Sequence, residues 1–307
     1  MSWSGSESVS GLLQPPSYRY GRLKGPWIER YFHRFWLSHQ FRSSPASRHE
    51  GAIYLPIQFD AFFLQAQCHK YQPAHFQKVL ACLRATLAAL DPDRPYFTVL
   101  GMYDFPIWDW HLFPRNVVVF SAAGGGDIPI PLLPGHLSYS TSSKDIFVSF
   151  MGSLDGPSDY EGVRSRMYQS LKEFAFFGKG PNWREVMRRS VFSLCPRGQA
   201  PASFRMYEAM ALGSIPIYLW EEKEWLPYRE LLNWNDFSIS LPIARCHELP
   251  AILSALSAEQ IATMQSRLAE VVPLLFHLDA VCRYVIERAS TICGLAEAKR
   301  LTDAREF

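Results

Sequence analysis

Residues 191–217, VFSLCPRGQAPASFRMYEAMALGSIPI, place an apolar run, a helical pattern and a second apolar run in direct succession. The first run is typical of a short strand, which Pro196 and Gly198 interrupt. A helix is expected over residues 203–212, and Gly213 behind it suits a left-handed C-terminal cap. The second strand follows at once. This order predicts a β-α-β unit whose loop and helix N-terminus lie at the carboxyl edge of a parallel sheet.

The loop and helix N-terminus of this unit suit the diphosphate of a nucleotide, because they offer free N–H groups and the positive end of a helix dipole. Ser203 can add a hydroxyl donor, Gly198 lies in the loop, and Arg197 or Arg205 can supply a charged fork. Glu208 shares a helix face with Arg205, one turn further from the phosphates. Its carboxylate could accept hydrogen bonds from both ribose hydroxyls. The same spacing also fits an i,i+3 ion pair on an ordinary helix surface, without any ligand.

The flanking sequence repeats the alternation of strands and helices. Runs of apolar residues alternate with segments in which apolar residues recur at helical spacing. This pattern predicts an α/β fold with parallel sheets covered by helices. The expected strands are 52–59, 96–102, 117–121, 146–151 and 237–241, and the expected helices are 25–36, 74–90, 161–174, 183–189 and much of the chain beyond 247.

A proline-rich run, Asp127–Gly135, divides the chain into two α/β halves. Prolines forbid a regular helix and hold an extended path, so this run is the expected crossing between two domains. Two halves joined in this way would leave a cleft between them, where ligands usually bind. The expected organisation is a loose arm at 1–20, Rossmann-like domains at 21–140 and 141–276, and a C-terminal helix at 277–307 that can pack across the domain junction.

Composition narrows the classes of function. The 307 residues are 48% hydrophobic and 20% charged, which is typical of a globular enzyme. A formal net charge of +2, without a dense stripe of Lys or Arg, argues against nucleic acid as a partner. Six scattered cysteines without zinc-like spacing fit free thiols in a reducing compartment. The sequence shows neither a signal-peptide pattern nor an apolar run of transmembrane length, so we expect a cytoplasmic protein.

The string C-P-R-G-x(4)-S-x-R-x-x-E-A-x(3)-G-x-I-P-I at residues 195–217 resembles the exostosin domain of the glycosyltransferases that build heparan sulfate and plant wall polysaccharides. The similarity continues through the segments WLPY, LLNWNDFSI, ELPAIL and IATMQSRL. It extends over residues 146–276 and is weak before residue 100. So many residues in a fixed order make this resemblance more specific than any of the shorter patterns in the chain.

The resemblance implies a GT-B fold, in which two Rossmann-like domains with parallel sheets face each other across a cleft. It implies an acceptor domain at 21–140 and a donor domain at 141–276, which together transfer a sugar with inversion from a UDP-sugar to a glycan, polysaccharide or other hydroxyl acceptor. No cofactor and no metal are expected. Arg164 resembles an arginine of the family and is a further candidate phosphate contact. The alternative is a catalytically inactive GT-B subunit that binds a nucleotide or a glycan.

Inversion requires one general base, which should come from the N-terminal half. Asp104 follows an apolar strand and is the first candidate, with Asp109, Asp127 and Asp60 as alternatives. Each of these aspartates could instead cap a turn or carry a surface charge.

Two weaker patterns have structural interpretations. Asp91-Pro92-Asp93 matches the D-x-D pattern of metal-dependent transferases, but it follows a helix as a proline-containing turn. Gly124-Gly125-Gly126 lacks the remaining residues of a P-loop, so a turn is expected there, although in a GT-B cleft it could lie near the acceptor.

Overall fold

The structure, a computed structural model, contains two compact α/β units. The first unit comprises residues 1–129 and 282–307, and the second comprises residues 130–281. Each has its own parallel sheet, which confirms the expected α/β class. The arrangement of the two units across a cleft and the domain limits stay predictions. The residues described are 28–42, 51–57, 73–101, 113–135, 138–155, 159, 162–198, 200–292 and 294–302.

The described elements follow one another along the chain as nine helices and nine strands, with two 3₁₀ segments at Trp234–Asp236 and Ile243–Glu248. In chain order they are α1 (Ile28–Arg42), β1 (Ile53–Tyr54), α2 (Pro73–Ala88), β2 (Tyr96–Leu100), β3 (Val117–Ser121), β4 (Ile128–Pro129), β5 (Ile146–Met151), α3 (Val163–Leu171), β6 (Phe176–Gly178), α4 (Trp183–Arg189), β7 (Ser190–Pro196), α5 (Phe204–Ala211), β8 (Ile215–Trp220), β9 (Ile239–Pro242), α6 (Leu249–Ser254), α7 (Ala258–Leu275), α8 (Leu278–Ser290) and α9 (Leu295–Thr302).

The sheet of the first unit has the strand order β1-β2-β3-β4, with every neighbouring pair parallel. All residues of β2 and β3 are buried, as expected for parallel strands covered on both faces. An aromatic cluster packs α1 against this sheet, with Phe32 at its centre in edge-on contact with Tyr54 and Phe97. Burial of these rings holds α1 in place.

The sheet of the second unit has the order β6-β5-β7-β8-β9, again fully parallel. The chain passes from β5 to β6 at one edge, then returns past β5 to β7 and continues to the other edge. This is the doubly wound arrangement in which loops at the carboxyl ends of the two central strands separate and leave a crevice. The crevice in this unit is therefore expected where β5 and β7 end.

The β-α-β unit predicted around residues 191–217 is confirmed as β7, α5 and β8. Gly213 ends the helix with φ of 66°, as the sequence predicted. A Cβ at this position would lie 2.9 Å from the Cβ of Thr141, so glycine is required here for space as well as for conformation. Strand β6 was not predicted, because Phe176-Phe177-Gly178 is too short to show a strand pattern.

Candidate functional site

Helix α5 presents its N-terminus after the loop that follows β7. Ser203 is the N-cap residue, with extended backbone angles, and its Oγ accepts the backbone N–H of Arg205 at 3.3 Å. The carbonyl oxygen of Ser203 also accepts the backbone N–H of Met206 at 3.2 Å, so the N-cap residue satisfies two N–H groups of the first turn. The helix start expected in the β-α-β unit is therefore present with Ser203 as its cap, and its role in binding a diphosphate stays a prediction.

Arg164 bridges the two loops at the switch point of the sheet. Its Nη1 donates to the carbonyl oxygen of Ser153, behind β5, at 2.9 Å, and its Nε donates to the carbonyl oxygen of Arg197, behind β7, at 3.4 Å. A Cβ on Gly198 would lie 3.5 Å from Nη2 of the same guanidinium, so Gly198 lies directly against it. The guanidinium thus joins the carboxyl ends of the two central strands.

The positive charges of Arg164 and Arg205 are close enough to interact, and the charge of Asp159 partly offsets this effect on Arg164. Burial, and then the positive charge of Arg205, lower the pKa of Arg164 below its usual range. Since like charges repel more strongly when they are partly withdrawn from water, an anion between Arg164 and Arg205 would stabilise both. The local electrostatics therefore favour a negatively charged ligand.

Arg205 and Glu208 form the i,i+3 ion pair that their spacing allows, with 3.4 Å between Nη1 and Oε2. The pair is not on an open surface, since the two side chains are only 24% and 17% exposed. Burial raises the pKa of the Glu208 carboxyl, against the opposing charges of Arg205 and Arg184. A carboxylate that is desolvated in this way gains most from additional hydrogen-bond donors.

Arg197 occupies a different environment from the one the sequence suggested. Its side chain is 1% exposed, and its Nη1 lies 3.7 Å from Oε2 of Glu222, which follows β8. Its Nε donates to the carbonyl oxygen of Gly198 at 3.4 Å. The buried guanidinium of Arg197 thus contacts the backbone of the loop behind β7. A direct contact between Arg197 and a ligand stays a prediction.

The candidate bases are only partly described. Asp60, Asp104 and Asp109 lie outside the described residues. Asp127 belongs to the first unit, and its Oδ2 accepts the backbone N–H of Val119 in the middle of β3 at 2.7 Å. Its carboxylate therefore has a structural task within the sheet, which weakens the argument for Asp127 as a base.

The two weaker sequence patterns both form turns. Oδ1 of Asp91 accepts the backbone N–H of Asp93 at 3.0 Å, and Oδ2 of Asp91 lies 3.5 Å from Nε of Arg94. Gly124 and Gly126 adopt φ of 123° and 132° in the turn that follows β3. Within the described part of the chain, no group of three or more His, Cys, Asp or Glu side chains is placed to hold a metal ion.

Sequence reasoning missed the residues at the carboxyl end of β6. Lys179 donates from Nζ to Oγ of Ser153 at 3.1 Å, which brings the β6 loop to the switch point. Trp183, the first residue of α4, lies with its ring 4.8 Å from the guanidinium carbon of Arg205. Because β6 was not predicted, the sequence did not place the loop behind it, with Lys179 and Trp183, at the carboxyl edge of the sheet.

The fold and the site together define an α/β protein whose doubly wound sheet collects cationic side chains at its switch point. Residues 123–256 match the family model described as the exostosin GT47 domain. Residues 123–256 are therefore similar to a glycosyltransferase domain of this family, which confirms the resemblance seen in the sequence.

Similar proteins match only part of their own length. A protein named Probable glycosyltransferase from Arabidopsis thaliana is 29% identical over 139 residues, which cover 43% of this chain and 26% of that protein. Probable glucuronosyltransferase GUT1 from Oryza sativa subsp. japonica is 29% identical over 153 residues, covering 46% of this chain and 36% of that protein. The crystal structure of TarM shares 8% identity at a TM-score of 0.38, over 63% of this chain and 50% of that one. The chain thus spans well under half the length of the two plant proteins.

One further observation concerns membranes. None of the helices in the described ranges is both long enough and apolar enough to cross a bilayer.

Proposed function

We propose that the chain is an inverting glycosyltransferase that moves a sugar from a UDP-sugar to a hydroxyl group of a glycan or polysaccharide. The observation that carries the proposal is the cationic switch point, where Arg164 bridges the loops behind β5 and β7 and opposes the charge of Arg205. A diphosphate has the charge that this arrangement favours. The exostosin GT47 match includes all of these residues.

In the proposed reaction, the acceptor oxygen forms a bond to the anomeric carbon of the sugar. The bond from that carbon to the diphosphate oxygen breaks on the opposite face, so the configuration inverts. A general base takes the acceptor proton, and Asp104 is the candidate for this role. Arg164, Arg205 and the N-terminus of α5 stabilise the negative charge that develops on the leaving UDP.

Glu208 has a different task in this proposal. Its carboxylate is paired with Arg205, and in this proposal it accepts hydrogen bonds from the ribose hydroxyls of UDP. The new donors would offset the desolvation that raises its pKa. The transferred sugar contacts other residues, so Glu208 governs donor binding and leaves the chemical step to the base.

A thermal-shift experiment tests the donor assignment. UDP should raise the melting temperature more than GDP or CMP, because a ligand that binds the folded state stabilises it by mass action. The rise should occur without Mg²⁺ or Mn²⁺ and persist in excess EDTA. Strict dependence on a divalent ion would contradict the metal-independent mechanism and direct attention to Asp91 and Asp93. Equal shifts with all three nucleotides would contradict specificity for uridine.

The second candidate is a non-catalytic subunit that uses the same site to bind a nucleotide. The observation in its favour is that Asp127, the candidate base among the described residues, accepts the backbone N–H of Val119 at 2.7 Å. Incubation with UDP-sugars, alone and with oligosaccharide acceptors, separates the two: an enzyme releases UDP, and a binding subunit leaves the sugar nucleotide intact. The cytoplasmic location stays a prediction.

A further inference from the structure

Trp183 carries two guanidinium groups on a half-buried indole ring. The guanidinium carbon of Arg184 lies 4.1 Å from the ring centre and that of Arg205 lies 4.8 Å from it. Arg184 is exposed, whereas Arg205 is held by Glu208. The ring is thus a stacking surface covered by two guanidinium groups, of which the one on Arg184 belongs to an exposed side chain.

The ring lies within the reach of one nucleoside from Glu208. Arg205 contacts both groups, with Nη1 3.4 Å from Oε2 of Glu208 and Cζ 4.8 Å from the ring centre. With one C–N bond of about 1.3 Å between these two atoms of Arg205, the ring centre is at most about 10 Å from the carboxylate oxygen. A ribose at Glu208 and the base attached to it can span that distance.

The groups around Arg205 also suit the separate parts of a nucleotide. The cradle formed by Arg164 and the N-terminus of α5 suits the diphosphate, and Glu208 lies one helical turn further along α5. Helix α4 lies beside Glu208, since Met187 of α4 contacts Nη1 of Arg205 at 3.4 Å. Glu208 and Trp183 therefore both lie beside Arg205, within reach of the ribose and the base of a nucleotide whose diphosphate lies at the cradle.

We propose that Trp183 is the stacking platform for the nucleobase of the donor, and that the base displaces the side chain of Arg184 from the ring. This inference rests on the proposed function, because it assigns the third part of the same ligand. Stacking on an aromatic ring accepts any base, since every base has a π-face. Trp183 therefore contributes to donor affinity, and the choice of uracil is made by other contacts.

Calorimetric titration of UDP and of inorganic pyrophosphate tests the proposal on the wild type and on Trp183→Ala and Trp183→Phe. Trp183→Ala should weaken UDP binding by about 5- to 150-fold, the usual effect of losing one stacked base. It should change pyrophosphate binding by less than about twofold, because pyrophosphate has no base to stack. Trp183→Phe, which keeps a π-face, should retain most of the UDP affinity. Phe176→Ala, which removes another exposed aromatic ring of the second unit, is the matched control and should bind UDP normally.

Fluorescence gives a second measurement that a merely structural role would not change. UDP should quench part of the tryptophan emission of the wild type, and Trp183→Phe should lose that quenching while still binding UDP. Equal weakening of UDP and pyrophosphate by Trp183→Ala would overturn the proposal, because Trp183 would then act only by holding Arg205. Unchanged UDP affinity would overturn it as well and leave the proposed function standing. A wild-type protein that binds neither UDP nor pyrophosphate would overturn the proposed function itself.

Discussion

The two parallel sheets differ in strand order, and this difference decides where polar side chains can collect. The described strands of the first unit follow one another in chain order, β1 to β4, so they contain no reversal. In the second unit the chain moves outward to β6 and then returns past β5 to β7. The loops behind β5 and β7 therefore leave in different directions, and Arg164 bridges them. A reversal in strand order creates a place for a ligand that a sequential sheet lacks.

The buried carboxylates of the two units also have different partners. Glu29, buried in the first unit, accepts the backbone N–H of Gly101 at 2.7 Å, and Asp127 accepts that of Val119. Both acids thus hold strands or strand ends in place. Glu208 in the second unit faces guanidinium groups, and burial raises the pKa of its carboxyl. In the described part of the first unit, the acids in contact with the sheet support the fold, and Asp104 remains the base to test first.

The largest expected effect belongs to the candidate base in the first unit. If Asp104 takes the acceptor proton, Asp104→Asn should lower turnover by about 10²- to 10⁴-fold, the usual contribution of a positioned base. Steady-state kinetics with a UDP-sugar and an acceptor measure this loss. UDP affinity should stay unchanged, because the base acts on the acceptor. A loss under about tenfold would reject Asp104 and make Asp109 the next candidate.

Removal of Glu208 should have the next largest effect, and it acts on the second unit. Glu208→Ala should weaken UDP binding by about 10- to 150-fold, because hydrogen bonds to a charged group contribute about 1.5–3 kcal/mol. Calorimetric titration with UDP measures the change. Glu248→Ala is the matched control, since it removes the exposed i,i+3 partner of Arg245. If the two variants bind UDP equally well, the Arg205–Glu208 pair is only structural.

The raised pKa of Glu208 also predicts a pH dependence of stability. In the folded state the carboxyl binds its proton more tightly than at its ordinary pKa of 4.5. The contribution of this carboxyl to the free energy of unfolding is therefore fully present below pH 4.5. That contribution is lost as the pH rises through the higher pKa of the folded state. Glu208→Gln should remove this slope from a series of chemical denaturations at increasing pH. An unchanged slope in the Gln variant would assign the dependence to other groups.

Substitution of Arg164 by lysine should have a smaller effect on UDP affinity. Lysine keeps the charge but cannot reach the two loops with a planar fork, so UDP affinity should fall about tenfold, the equivalent of one lost hydrogen bond of about 1.5 kcal/mol. Competition with a fluorescent UDP analogue measures this change. Arg166→Lys, on the exposed side of the same helix, serves as the control. Equal affinities in both variants would show that the bridge between β5 and β7 is unimportant for the donor.

The smallest effect concerns the cap of α5. Ser203→Ala should lower the free energy of unfolding by about 1 kcal/mol, the usual contribution of an N-cap, and should also weaken UDP binding. Ser257→Ala removes the capping box of α7, so it should lower stability to a similar degree without any change in UDP affinity. Chemical denaturation and UDP titration of both variants separate the two roles. Normal UDP binding by Ser203→Ala would confine Ser203 to capping.

Much of the second unit was predictable because its signals are local. The strand at 146–151 and the helix at 183–189 were predicted with the observed bounds, since apolar runs and helical periodicity depend on neighbouring residues alone. The left-handed cap at Gly213 was predicted for the same reason. Cap, turn and strand patterns within residues 191–217 determined the β-α-β unit, and with it the candidate roles of Ser203 and Glu208.

The contacts between charged side chains at the site depend on tertiary packing. Arg164 lies at the start of α3 and Arg197 in the loop behind β7, and both were candidate phosphate contacts, yet Arg164 bridges the switch point and Arg197 is 1% exposed. Strand β6 has three residues, and its pairing with β5 is what brings Lys179 to the site, with Trp183 following it on α4. Pairing between distant segments depends on the packing of the whole sheet, which local patterns do not encode. Local sequence patterns therefore predict most elements of the second unit and a candidate ligand, whereas the packing of the sheet sets which side chains surround the site.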